Sequence, residues 1–220
     1  RVVSVSRAGH PEADYKASAG VGGQLQISGP EGWLCEVRLG LEGEHNLSNA
    51  TMAAAAACEL GATKEHIMAG LGQMLAVKGR LHIQSLAQGW TLIDDSYNAN
   101  PASIKAALAV LAKRPSPRFA VLGAMAELGE QAVQLHQEVA QYARDLGIER
   151  LLAVGPGCEG YAEGFGATVE ICISHDQAIN AVLENTQVPA TVLVKGSRSS
   201  AMEIVAEGIK NKVNGTCCSG

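Results

Sequence analysis

The chain has 220 residues, of which 47% are hydrophobic and 18% charged, enough to bury a real core in one large domain or two small ones. Its net charge of −5, without any basic run, argues against a nucleic-acid partner held through phosphates. No apolar run reaches membrane-spanning length, residues 1–20 carry no signal-peptide pattern, and the six cysteines include no CxxC and no zinc-site spacing, so a reduced, cytoplasmic protein is expected.

Residues 1–44 read as β structure, with short runs at Val2–Val5, Tyr15–Ala19, Gln24–Ile27 and Trp33–Leu39 and turns at Gly22-Gly23 and Gly29-Pro30. A helix follows over Leu47–Leu60, stopped by Gly61, and its alanines Ala53–Ala57 suit a close backbone approach. Thr63 caps a second predicted helix with Ile67, Leu71 and Met74 on one face. Val77-Lys78-Gly79-Arg80 marks a break between domains that meet near Lys78–Leu81.

From Leu81 the pattern becomes α/β. Strands are predicted at His82–Leu86, Trp90–Asp94, Arg118–Leu122, Leu151–Val154, Thr168–Ile173 and Thr191–Val194. Helices are predicted at Pro101–Lys113, Gln131–Leu146, Gln177–Asn185 and Ser199–Gly208. This alternation implies a mainly parallel sheet with helices on both faces. Gly123, Gly155 and Gly196 each follow a strand, so their loops share the rim where such sheets bind ligands.

The richest stretch is Leu92–Ser103, LIDDSYNANPAS. An apolar strand end runs into Asp94 and Asp95, then Ser96, Tyr97 and Asn98. Asn100 is a good helix N-cap and Pro101 suits the first helical position. A polar strand-to-helix turn with capping residues would account for one Asp and one Asn. The density here points instead to a ligand bearing hydroxyls, phosphates or a metal ion.

Four other motifs stand out. Asn46 and Asn49 sit three apart at the start of the alanine-rich helix and can reach one side of it. The loop VLGAMAELG carries Glu127 as its only charge, and His136 follows within the next helix, where a packed residue is commoner than a catalytic one. VKGSRSS places Lys195, Ser197 and Arg198 at a strand end and helix start, a place to grip a carboxylate or phosphate. Gly155-Pro-Gly-Cys-Glu-Gly160 formally matches GxGxxG, which leaves a dinucleotide-binding oxidoreductase as an alternative, although Pro156 stiffens the turn and Tyr161–Gly166 makes a poor helix.

In this order the blocks GEHNLSNATMAAAAA, VKGR, LIDDSYNANPAS, VLGAMAELGE with His136, and LVKGSRSSAME resemble the Mur ligases, ATP-dependent amide-bond ligases of peptidoglycan synthesis. The DDSYNANP and KGSRS blocks resemble the member that adds D-alanyl-D-alanine to UDP-N-acetylmuramoyl-tripeptide through an acyl phosphate. The resemblance implies that residues 1–79 end a central ATP-binding domain and that residues 80–220 form a C-terminal Rossmann-like domain with a disordered tail. It implies ATP and Mg2+ as cofactors and a monomer as the expected state.

Asn46 and Asn49 would lie at the adenine side and Arg80 would reach the nucleotide. Asp95 would bind the ribose hydroxyls, with Ser96, Tyr97 and Asn98 nearby. The loop bearing Glu127, with Lys195, Ser197 and Arg198, would face the acceptor dipeptide or the closing domain. No metal ligand and no base for the attacking amine is assigned. Ala124 stands where the family has Asp. The family's P-loop, modified lysine and UDP-binding domain precede the stretch that resembles this chain, so the chain looks like a C-terminal half. A nucleotide-binding module without catalysis is the remaining alternative.

Overall fold

A computed structural model describes residues 2–20, 23–40, 44–75, 77–166, 169–184 and 189–215, without the side chains of residues 44 and 45. The predicted tail with Cys217 and Cys218, and Gly22, Gly43, Thr168 and Asn185 at the limits of predicted elements, lie outside the described residues. The chain divides into two compact units, Arg1–Ala76 and Val77–Gly220.

The first unit contains β1 (Val5–Ser6), β2 (Tyr15–Ala19), β3 (Leu25–Ser28), β4 (Leu34–Val37), α1 (Glu44–Glu59) and α2 (Lys64–Gly72). Its four strands pair in the order β1-β2-β3-β4. Alternate residues of the strands, Ala17, Leu25, Ile27, Cys35 and Val37, point to one face. There they meet Ala50 and Ala54 of α1 and Ile67 and Leu71 of α2. Thr63 caps α2, its hydroxyl accepting from the His66 N–H at 3.3 Å. Met74, predicted on the α2 face, falls beyond the helix and is exposed, because α2 ends at Gly72. The predicted Val2–Val5 strand shrinks to a parallel bridge of two residues, since only Val5 and Ser6 find partners on β2.

The second unit contains β5 (His82–Ser85), β6 (Thr91–Asp95), α3 (Pro101–Ala112), β7 (Arg118–Gly123), α4 (Ala132–Asp145), β8 (Arg150–Val154), α5 (Glu159–Phe165), β9 (Glu170–Cys172), α6 (His175–Glu184), β10 (Thr191–Lys195) and α7 (Glu203–Gly215). Its six-stranded sheet runs β5-β6-β10-β7-β8-β9. Only β5 is antiparallel to its neighbour; the other pairings are parallel. A sheet covered on both faces needs strands apolar on both sides. Ile93, Ala120, Leu122, Leu151, Ala153 and Leu193 face α3, α4 and α5. The alternating residues Leu92, Phe119, Val121, Leu152, Val192 and Val194 face α6 and α7. Helix α3 shows the logic in one element. Asn100 and Ser103 form a reciprocal capping box, Pro101 opens the helix, and Ile104, Ala107, Leu108 and Leu111 are fully buried. Each of those Ile and Leu side chains contributes about 1.5–3 kcal/mol by leaving water.

Two predicted elements are corrected. The end of the GxGxxG match and the segment after it form a seven-residue helix, α5, held tightly against α4 by its glycines. The last helix begins at Glu203, not Ser199: Arg198–Ser200 is a 3-10 turn, and Ala201 turns left-handed at φ 47° before α7 starts.

Candidate functional site

The helices that follow β6 and β7 cover one face of the sheet, whereas α7, after the intervening β10, covers the other. Connections leaving in opposite directions open a crevice at the carboxyl ends of these strands, the usual ligand position in an open α/β sheet. The LIDDSYNANPAS, VLGAMAELG and VKGSRSS segments all end at this rim.

Asp94 and Asp95 are adjacent and therefore point to opposite faces of β6. Asp94 is buried: its Oδ2 accepts from the Gly79 N–H at 3.2 Å, and its Oδ1 accepts from the Ser96 hydroxyl at 2.6 Å. It ties the turn before β5 to the loop after β6. Asp95 is half-buried: its Oδ1 accepts from the Leu81 N–H at 2.9 Å, and its Oδ2 accepts from Lys195 Nζ at 2.5 Å. Lys195 also donates to the Asn98 carbonyl at 2.8 Å. The Tyr97 N–H donates to the Gly79 carbonyl at 2.9 Å, and Gly79 adopts φ 76°, where a side chain would be strained. The result is a braced turn from which Arg80 and Tyr97 both emerge. The Arg80 guanidinium lies 4.5 Å from the centre of the Tyr97 ring, an exposed cation–π platform on the two turns that Asp94 and Asp95 hold in place.

Across the rim, Ser197 is buried. Its N–H donates to the Ala124 carbonyl at 3.1 Å, and its hydroxyl lies 3.0 Å from that of Ser199 and 3.1 Å from that of Ser200. Ser200 also donates to the Ala124 carbonyl at 3.0 Å. Position 124 thus works here through its backbone. Gly123 and Gly196 permit this closeness: a Cβ on Gly196 would lie 2.5 Å from Met202 Cγ, and one on Gly123 would lie 2.7 Å from Ser200 Cβ. Arg198 is exposed, with its guanidinium 3.0 Å from Glu203. Glu127 is exposed at φ 62° on the loop after β7. That loop is pinned at Met125, whose N–H donates to His136 Nε2 at 2.8 Å. Because Nε2 must accept there, Nδ1 carries the proton and donates to the Ala132 carbonyl at 2.6 Å. His136 is therefore a loop anchor.

The structure brings Arg80, Asp95, Tyr97, Asn98 and Lys195 together. Ser96 is turned inward onto Asp94, and the Asn98 side chain caps its own turn by accepting from the Ala99 N–H at 2.8 Å. Ser197, Arg198 and Glu127 line the neighbouring part of the rim. Asn46 and Asn49 lie in the other unit, on α1, half-buried and exposed respectively. The sequence reading missed the part played by Leu81, whose N–H holds Asp95 from a left-handed backbone at φ 47°; a leucine there carries no signal for it. The GxGxxG match is structural. Cys158 is buried and donates to the Val154 carbonyl at 3.4 Å; burial, then the charge of Glu159, pushes its thiol up to about 12. Gly160, the third glycine, seats α5 on α4.

Fit to a nucleotide can be tested on these donors and acceptors. A carboxylate with lone pairs to spare and a guanidinium–phenol platform suit a ribose and its base. Among the described residues no group of three or more His, Cys, Asp or Glu side chains could hold a metal ion, and Asp94 and Asp95 have internal partners.

A family model described as Mur ligase, glutamate ligase domain, matches residues 79–198. The UDP-N-acetylmuramoyl-tripeptide–D-alanyl-D-alanine ligase of Escherichia coli (strain K12) is 41% identical over 198 residues, 89% of this chain and 43% of that protein. The ligase of the same name from Mycobacterium tuberculosis (strain H37Rv) is 36% identical over 200 residues, 79% of this chain and 39% of that protein. A crystal structure of MurF from Acinetobacter baumannii superposes with a TM-score of 0.81 at 30% identity, covering 96% of this chain and 47% of that one. The chain thus spans less than half the length of the curated relatives it matches.

Proposed function

We propose a function from one premise: the chain belongs to the Mur ligase family. It is the C-terminal part of a cytoplasmic, ATP-dependent ligase that adds D-alanyl-D-alanine to UDP-N-acetylmuramoyl-tripeptide. The unit Arg1–Ala76 is the end of its ATP-binding domain and the unit Val77–Gly220 its C-terminal domain. The observation that carries this reading is Asp95, held at the crevice between Leu81 and Lys195, with the Arg80–Tyr97 platform, in a chain 41% identical to a ligase of that name.

ATP, when bound, supplies activation of the tripeptide carboxyl for attack by the dipeptide amine. This chain's residues bind and orient. Asp95 accepts from the ribose hydroxyls; Arg80 and Tyr97, with Asn98 beside them, flank the nucleotide; Ser96 keeps the loop in shape through Asp94. Asn46 and Asn49 are assigned to the adenine side on the family resemblance alone. Arg198, exposed on its 3-10 turn, is the cation available to the dipeptide carboxylate, with Ser197 and Glu127 along the same rim. Mg2+ is assigned, on the family resemblance alone, to the part of the ligase that precedes the stretch resembling this chain, and the enzyme works as a monomer.

The test is substrate dependence in the full-length enzyme. ADP release should require both UDP-N-acetylmuramoyl-tripeptide and D-alanyl-D-alanine, and single amino acids should not replace the dipeptide. Release that proceeds equally with D-glutamate as the acceptor would sink this assignment.

A further inference from the structure

Lys195 invites assignment as an anchor for an acceptor carboxylate, because it is a cation at a strand's carboxyl end. Its surroundings argue otherwise. It lies directly opposite Asp95 in the parallel pairing of β10 with β6, so both side chains leave the sheet on one face. The lysine side chain is 3% exposed and that of Asp95 is 15% exposed. Its ammonium is 2.5 Å from Asp95 Oδ2 and 2.8 Å from the Asn98 carbonyl. To reach an outside anion it would have to abandon a buried carboxylate, and breaking one side of such a pair is costly.

We propose that Lys195 is a positioning residue for the nucleotide half of the site, not part of the acceptor half. The inference rests on the reading of Asp95 as the ribose-binding carboxylate. An ionised carboxylate offers about four lone-pair positions. The Leu81 N–H takes one on Oδ1 and the Lys195 ammonium takes one on Oδ2. The plane of the group is thereby fixed, and each oxygen keeps an acceptor direction for one of two neighbouring hydroxyls. The second lysine bond holds the Asn98 carbonyl, and so sets the loop that carries Tyr97 against Arg80. One ammonium therefore fixes the ribose acceptor and the loop bearing the platform together. The acceptor carboxylate is left to Arg198, whose side chain is 68% exposed.

The experiment is steady-state kinetics on the full-length enzyme with Lys195→Met, Asp95→Asn and the double variant, varying ATP and D-alanyl-D-alanine in turn. Lys195→Met should raise the KM for ATP about tenfold or more and leave that for D-alanyl-D-alanine within about twofold; the double variant should lose no more than the worse single, since both act through one contact. A rise in the dipeptide KM with that for ATP unchanged, or losses that multiply in the double variant, would overturn the proposal while leaving the ribose reading intact. An unchanged KM for ATP in Asp95→Asn would overturn both. Should Lys195→Met not fold, Lys195→Gln replaces it: its neutral amide should raise the KM for ATP by more than that for D-alanyl-D-alanine, and a larger rise in the dipeptide KM would overturn the proposal.

Discussion

Glu149 lies at the amino-terminal end of the sheet, opposite the crevice, and shows how one residue sets a pH dependence. Its carboxylate accepts from the Arg118 N–H at 3.0 Å, from the Arg118 guanidinium at 3.0 and 3.1 Å, and from the Ser116 hydroxyl. Burial alone would raise its pKa, but these bonds outweigh that and hold it at about 2, against an ordinary 4.5. A depressed carboxylate contributes stability above its unfolded pKa and loses it as pH falls through the folded one. Glu149→Gln should therefore lower the melting temperature at neutral pH, and the gap to the unaltered chain should close between about pH 4.5 and about pH 2. Calorimetry across that range checks it; a gap that persists at pH 2 would contradict the assignment. At this scale the sequence is only half legible. Adjacent aspartates at a strand end mark a site, and alternation says they diverge. Nothing in the local sequence tells which is taken by Gly79 and which by Lys195, a hundred positions away.

Helix α5 carries the lesson for elements. Two glycines in seven residues read as a poor helix, because glycine costs about 1 kcal/mol per helical position. The glycines serve packing instead. A Cβ on Gly160 would lie 2.2 Å from the Val133 carbonyl oxygen, and one on Gly164 would lie 2.0 Å from that of Gln137, so α5 rests on the backbone of α4. The tertiary contact overrides the local propensity. Gly164→Ala should destabilise the chain by about 1–3 kcal/mol, since backbone cannot yield locally. Gly208→Ala should cost less: its new methyl would meet the tip of Ile179 at 2.3 Å, and a side chain can turn away. Urea unfolding of the two variants gives the order, and a costlier Gly208 change would refute this account of α5. Strands β6, β7, β8 and β10, by contrast, are legible to within a residue, because strands apolar on both faces announce themselves.

For the whole molecule, the alternation of strands and helices predicts a parallel sheet but not its order. The place of β10 between β6 and β7 depends on pairings with residues far apart in the chain. The crevice follows from that order, so its full membership was beyond a reading by spacing. The sequence limits what the 220-residue chain can do alone, because it contains no GxxxxGK(S/T) loop to grip a triphosphate. Mixed with ATP, UDP-N-acetylmuramoyl-tripeptide and D-alanyl-D-alanine, it should release no ADP, and measurable dipeptide-dependent release would show otherwise. The sheet order also bears on biosynthesis. The ribosome delivers the strand at the middle of this sheet after all the others. Until Thr191–Lys195 emerges, β5-β6 and β7-β8-β9 are two ribbons with facing open edges, and Asp95 lacks its counter-charge. The final strand acts as a keystone, so a chain broken off before it yields two unjoined ribbons and no partial version of the crevice.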